Sequence, residues 1–299
     1  MEIIFLGTSA MVPTKDRNQS GIFFKYKNEG LLFDCGEGIQ RQFKTIDEKI
    51  TKITKIFISH WHGDHVLGIP GLLQSLNSSL YEQDDVSVEI YGPQGTEKAI
   101  KTLLDCFTFD RTISLVVKDF NEGVIFQNTD FFIEVYALEH SIPTFGFRFV
   151  EKDRRRVDLE KTKKYCLPEG PLLGKLQQGE TITFNKKKIK PEDVTYLVPG
   201  KKIAYISDTS LCKNCLKLAQ DVDALIIEAT YHSRDEEKAE KYKHLTALQA
   251  AMIAQQSNAG RLLLTHFSQR YKTVGDLEQE AKDVFPDTVA AYDFLRIKI

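Results

Sequence analysis

The chain has 299 residues, 42% of them hydrophobic and 10% aromatic, which is enough to bury the core of one large α/β domain and too apolar for a disordered segment. Forty Lys/Arg against 42 Asp/Glu give a formal net charge of −2, excluding a polybasic histone-like protein while leaving room for a local basic patch. No apolar run approaches the roughly 18 residues that span a bilayer, and the opening Met1-Glu2-Ile3-Ile4-Phe5-Leu6-Gly7 lacks the basic n-region of a signal peptide, so a cytoplasmic location is expected.

Strand-like runs begin at Ile3–Leu6, Gly21–Tyr26 and Leu31–Phe33, separated by the polar loop Pro13-Thr14-Lys15-Asp16-Arg17-Asn18. A helix over Gly38–Thr45 follows, then a strand at Lys55–Ser59, a helix over Leu67–Ser78, a strand at Ser87–Tyr91 and a helix over Thr96–Cys106. Further strands are predicted at Phe131–Leu138, Phe145–Val150, Lys202–Ser207, Ala224–Ile227 and Arg261–Thr265. Helices are predicted over Thr246–Gln255 and Gly275–Val284; Thr246 can cap the former, and Ala247, Ala250, Ala251 and Ala254 let it pack closely. Strands interspersed with helices imply a layered α/β protein with mixed sheets, one domain over residues 1–299.

Residues 151–190 break this pattern with twelve Lys/Arg against six acidic residues, a local charge of +6 on a remainder of −8. The stretch also holds Pro168-Glu169-Gly170-Pro171 and Gly174, which fit a looped basic arm inserted in the domain. Five cysteines, an odd number, fit reduced thiols. Cys212 and Cys215 form one CxxC, which without a second pair or nearby histidines reads as structural.

His60-Trp61-His62-Gly63-Asp64-His65 packs four metal-ligand side chains into six residues directly after an apolar strand. Imidazole nitrogens and carboxylate oxygens are the donors zinc takes when thiolate is absent. His140, Asp208 and His266 each follow an apolar strand, at the C-terminal ends where open α/β sheets gather their sites. These seven groups suit two adjacent ions: His60, His62 and His140 on one, Asp64, His65 and His266 on the other, with Asp208 bridging. Two ions about 3.5–4 Å apart activate a water and stabilise charge in a displacement, so hydrolysis is the expected chemistry.

At these residues the chain resembles the metallo-β-lactamase-fold hydrolases, and within them the ribonuclease Z family of tRNA 3′-processing endonucleases. The resemblance extends from Phe5-Leu6-Gly7-Thr8-Ser9-Ala10 and the Pro13–Asn18 loop through Phe33-Asp34-Cys35-Gly36-Glu37-Gly38, Glu228-Ala229-Thr230-Tyr231 and His244-Leu245-Thr246 to His266-Phe267-Ser268-Gln269-Arg270-Tyr271. It implies an αββα sandwich of two mixed sheets with a protruding flexible arm, residues 151–190, whose Gly170-Pro171 element grips tRNA. It also implies two Zn²⁺ ions per subunit, with Mn²⁺ as the alternative, and a homodimer in which the arm of one subunit serves the other's active site.

The resemblance implies cleavage of precursor tRNA 3′ of the discriminator nucleotide, leaving a 3′-hydroxyl on the tRNA and a 5′-phosphate on the trailer. Asp64 is then the proton acceptor, His244 the acid for the leaving oxygen, and Glu228 the group that orients His244. Lys15, Arg17, Asn18, Ser268 and Arg270 are expected to meet the substrate. The rival readings are a hydrolase of small phosphodiesters on the same fold and a non-catalytic RNA-binding module with a structural metal site.

Overall fold

The computed structural model describes residues 1–79, 87–108 and 113–299. Among the described residues two seven-stranded sheets dominate. The first takes its strands in the order Arg296–Lys298, Glu2–Gly7, Gly21–Tyr26, Glu29–Phe33, Lys55–Phe57, Ser87–Pro93, Ser114–Phe120. Its opening strands pair antiparallel, and from Glu29–Phe33 onward the pairing is parallel. The second runs Thr288–Ala290, Leu262–Thr265, Ala224–Glu228, Lys202–Ile206, Thr144–Glu151, Phe131–Leu138, Gly123–Gln127, and its first four strands are parallel.

Strand alternation decides which residues face where. Leu32, Ile56, Ile58 and Ile90 meet the helices Ile39–Thr45, Ile69–Ser79 and Thr96–Asp105. Their neighbours Phe33 and Phe57 point the other way, against Phe147 of the second sheet at 5.4 and 5.9 Å between ring centroids, and Tyr26 meets Phe149 at 5.3 Å. Ala204 and Ile206 in turn face the helices Lys213–Ala219, Ala247–Gln256 and Gly275–Lys282. Helices therefore cover both outer faces and aromatic rings fill the space between the sheets, an αββα sandwich as expected.

All ten predicted strands and all five predicted helices form, with ends shifted by a few residues. Thr246 caps its helix through a reciprocal pair: its hydroxyl accepts from the Gln249 N–H, and its own N–H donates to the Gln249 side chain. The short helix Glu236–Tyr242 has Ala239 as its buried residue, so no apolar stripe marks it in the sequence. The strand Ser114–Phe120 alternates exposed and half-buried positions at the border of its sheet, again a weak signal.

Residues 127–132 and 150–201 form a compact unit separate from the rest. Its strands Arg154–Val157 and Thr195–Val198 pair antiparallel, Ile182–Phe184 and Lys187–Ile189 make a hairpin, and Leu176, Ile182, Ile189 and Val194 form a small core. The basic segment thus carries more regular structure than its composition suggests, because apolar residues recur often enough to nucleate that core. Lys163, Lys164, Lys175, Lys186, Lys187 and Lys188 remain exposed.

Phe147, 1% exposed, stands where the rings of both sheets meet. Phe147→Ala is expected to lower the unfolding free energy by about 3–5 kcal/mol in urea titration, whereas Tyr292→Ala, at an exposed position, should change it by less than about 0.5 kcal/mol.

Candidate active site

Parallel pairing aligns the C-terminal ends of the strands, and the chain turns there from apolar to polar. Asp34 follows Glu29–Phe33, His60 comes soon after Lys55–Phe57, Asp208 follows Lys202–Ile206, Glu228 closes Ala224–Glu228, and His266 follows Leu262–Thr265. His140 comes two residues after the strand Phe131–Leu138. His62 precedes the single turn Gly63–Val66, which carries Asp64 and His65 inward. All seven predicted ligands converge.

Two groups result. The ligand atoms of His60, His62, His140 and Asp208 lie within 4.8 Å of one another, as do those of Asp64, His65 and His266. Asp208 joins them, its Oδ2 lying 3.6 Å from His60 Nε2 and its Oδ1 3.4 Å from His65 Nε2 and 3.3 Å from His266 Nε2. A third set within the same limit, Asp208, His244 and His266, places His244 beside the second group.

The outward nitrogens are already committed. His65 Nδ1 donates to Asp34 Oδ2 at 2.8 Å, His60 Nδ1 to Ser59 Oγ at 2.9 Å, and His140 Nδ1 to the Lys243 carbonyl at 2.9 Å. Ser59 donates its own O–H to Asp34, which explains why its oxygen accepts from His60. His266 Nδ1 sits 3.0 Å from Thr230 Oγ1. A neutral imidazole whose outer nitrogen donates presents a bare lone pair on the other side. The inner nitrogens then face one another across short gaps: His60 Nε2 to His62 Nδ1 at 3.1 Å, His140 Nε2 to His62 Nδ1 at 3.3 Å, and His65 Nε2 to His266 Nε2 at 3.3 Å. Converging lone pairs call for cations at their centres.

The electrostatics agree. Burial, reinforced by neighbouring imidazoles, holds His60 well below its ordinary pKa, and burial also lowers His62 and His140, so the imidazoles of the first group are neutral and ready to ligate. At His65 burial is outweighed by the carboxylates of Asp64, Asp208 and Asp34, which drive its pKa well up and demand positive charge there. Asp64 is buried, yet His65 and His266 keep its carboxyl far below the carboxylate range. The donor set fits divalent transition ions with nitrogen and oxygen ligands.

Beside the ligands, His244 Nδ1 lies 2.9 Å from Glu228 Oε1. Glu228 is fully buried and also accepts from the Thr209 N–H at 2.8 Å and the Thr230 hydroxyl. Burial alone would lower His244; the Glu228 carboxylate, aided by Asp208 and Asp64, pushes it up to about 9. His62, Asp64, His140, Asp208, His244 and His266 line one cavity of about 540 Å³ that also reaches Ser268 and Arg270.

The remaining predicted substrate residues are more dispersed. Arg17 is buried, its guanidinium donating to the carbonyls of Tyr271 (2.7 Å) and Ser268 (3.4 Å), and Asn18 donates to the Glu37 carbonyl and, through its N–H, to Asp293. Both brace the loop, while Lys15 beside them is exposed. Gly170 and Pro171 are exposed at the start of the helix Pro171–Gln177 in the separate basic unit, where Gly170 takes a φ of 142° that favours glycine. Asp34, Ser59 and Thr230 were not singled out as site residues. Asp34 could have been, since it follows a buried strand just as Asp208 does.

Comparison with known proteins then fixes the lineage. Residues 1–142 match the family described as Anti-Pycsar protein Apyc1, and residues 181–267 match the beta-lactamase superfamily domain. Human tRNase Z, short form, superposes with a TM-score of 0.74 at 30% identity, covering 100% of this chain and 99% of that one. The metallo-beta-lactamase fold protein YhfI from Bacillus subtilis shares the fold at 19% identity, with a TM-score of 0.71 over 99% of this chain and 98% of that one. Ribonuclease Z from Bacillus licheniformis is 41% identical over 309 aligned residues, covering 100% of this chain and 99% of the relative. The chain belongs to the ribonuclease Z family. Ribonuclease Z from Bacillus subtilis, 38% identical over 308 aligned residues with 100% and 99% coverage, supports the same placement. Within a ribonuclease Z family member the converging histidines and aspartates occupy the mouth of a metallo-β-lactamase fold.

Asp34 touches three groups of this site, accepting from His65, Ser59 and Tyr205. Asp34→Ala should weaken metal binding by about 10–100-fold in competition against a chromogenic chelator, with Lys15→Ala unchanged.

Proposed function

We propose that this ribonuclease Z family member is a metal-dependent endoribonuclease that removes the 3′ trailer of precursor tRNA, cutting just 3′ of the discriminator nucleotide. The observation that carries the reading is the union of the two ligand groups with His244 in one cavity. Two zinc ions, with manganese as the alternative, are the proposed cofactors; when bound they supply Lewis acidity, an activated water and neutralisation of phosphate charge. Asp64 turns Oδ2 toward His65 and His266 and takes the Met11 N–H on the same atom at 2.7 Å, leaving Oδ1 to accept a proton from the attacking water.

His244 is held by Glu228 through Nδ1, so Nε2 is free to face the substrate. Its raised pKa keeps a proton there at neutral pH for the departing 3′-oxygen of the discriminator nucleotide. Transfer of that proton leaves a 3′-hydroxyl on the tRNA and a 5′-phosphate on the trailer. Ser268 and Arg270, at the cavity, are proposed to hold a phosphate next to the scissile one, Arg270 being steered by Ser268 Oγ at 3.2 Å and by stacking over Tyr231.

The basic segment 151–190 is proposed as the tRNA-binding exosite of a single catalytic domain, with Gly170 and Pro171 in its contact surface and exposed lysines supplying sequence-tolerant phosphate attraction. A homodimer in which that segment serves the partner's site, and a cytoplasmic location, complete the proposal. The tRNA substrate of the family favours that location, and no helix among the described residues is long and apolar enough to cross a membrane.

Cleavage of a CCA-less precursor, mapped to the nucleotide, should fall at the discriminator and cease with chelator; an unaltered precursor or a chelator-resistant cut would refute the reading. His244→Ala should lower kcat by about 10²–10⁴-fold with little change in KM. Replacing Lys186, Lys187 and Lys188 together by Glu should raise KM for precursor tRNA and flatten its salt dependence by roughly one unit of slope per lysine in contact. Hydrolysis of bis(p-nitrophenyl) phosphate by that variant should stay at the wild-type rate.

A further inference from the structure

Outside the catalytic cavity, the pair Cys212 and Cys215 is the densest unassigned chemistry. Their sulfurs lie 3.5 Å apart, within thiol–thiol hydrogen-bonding reach. Formation of a disulfide requires closure to about 2.05 Å, a small displacement for side chains one helical turn apart. Cys215 is buried among the helices of the second sheet, while Cys212 is part-exposed and lines a surface groove of about 790 Å³ together with Leu211, Lys213 and Met252. One sulfur can therefore meet a reagent from solution and the other is sheltered to resolve the adduct. With Cys215 Sγ in hydrogen-bonding reach, thiolate at Cys212 is favoured over the cost of its burial.

The pair is also tied to the catalytic loop. Three residues separate Cys212 from Asp208, and Thr209 among them places Oγ1 3.9 Å from Cys212 Sγ. Thr209 donates its N–H to Glu228, the partner of His244, and its hydroxyl accepts from the Glu139 N–H at 3.1 Å. Ser210 N–H donates to the Glu139 carbonyl at 2.7 Å, next to His140. A pull on Cys212 reaches a proposed bridging ligand, a neighbouring ligand and the acid's partner.

We propose that Cys212 and Cys215 form a redox-active dithiol, closed to a disulfide by a low-molecular-weight disulfide, and that closure slows catalysis by shifting the Asp208–Cys212 loop. The Cys212 thiolate attacks one sulfur of the oxidant, whose S–S bond breaks to release one thiolate and leave a mixed disulfide on Cys212. Cys215 then attacks Cys212 Sγ, giving the intramolecular disulfide and a second thiolate. Two protein thiols are oxidised, one disulfide is reduced to two thiols, and the two protein protons end on the released thiols. The thiol chemistry stands independently of the proposed nuclease function; only its effect on cleavage rests on that reading.

The test uses the full chain with the exposed Cys106 and Cys166 changed to Ser, metal-loaded, with glutathione disulfide as oxidant. Intact-mass and peptide mapping should show loss of two hydrogens at Cys212–Cys215, reversed by dithiothreitol, while Cys215→Ala stops at a glutathione adduct on Cys212. Free thiols at both positions, or a stable adduct on the protein that retains both cysteines, would overturn the dithiol. Cleavage of precursor tRNA should fall by about tenfold or more on oxidation and be unaffected by oxidant in Cys212→Ala. An unchanged rate in a fully disulfide-bonded sample would overturn the coupling to the loop.

Discussion

Everything in the cavity depends on the carboxylate of Asp208, which presents one oxygen to each of two buried ligand groups. Around it the imidazoles are locked by outward hydrogen bonds so that their free lone pairs point inward at one another. Buried acceptors with no proton between them are unfavourable unless a cation sits among them. Metal bound there would offset the cost of gathering these acceptors, and the same positive charge would serve hydrolytic chemistry.

The fold makes that convergence inexpensive. Parallel strands end together, so Asp34, His60, Asp208, Glu228 and His266 come to one side without long connecting loops. Between the two sheets a layer of rings, among them Phe33, Phe57, Phe147 and Tyr205, fixes their separation directly beneath the ligands. Tyr205 links both roles: its ring packs in that layer while its hydroxyl donates to Asp34 at 2.8 Å. A rigid core thereby extends without interruption into the supports of the ligands, which is how a site keeps its geometry within tenths of an ångström.

The residues that converge were legible because metal ligation would restrict residue type and spacing: His60, His62, Asp64 and His65 are dense in sequence, and His140, Asp208 and His266 each mark the end of an apolar run. The supports were harder to see. Ser59 and Thr230 are ordinary residues in sequence and gain meaning only from partners 25 or more positions away, such as Asp34 for Ser59 and His266 for Thr230. Arg17 was expected to meet the substrate because of the motif it sits in; its guanidinium is buried and donates to the carbonyls of Ser268 and Tyr271, an arrangement no local pattern announces. In the basic segment, charge masked a hydrophobic periodicity of few residues, Leu176, Ile182, Ile189 and Val194, that was sufficient for a small core. The CxxC spacing announces the nearness of the two sulfurs but not that one is buried and the other half-open.

The central claim, that one carboxylate unites two ion positions, is tested most directly by metal stoichiometry. Protein stripped of metal and dialysed against limiting free zinc should retain two ions per chain by plasma mass spectrometry. Asp208→Ala, with circular dichroism unchanged, should lose both together. A wild-type chain that binds no more than one ion, or an Asp208→Ala chain that still holds two with undiminished affinity, would contradict the account.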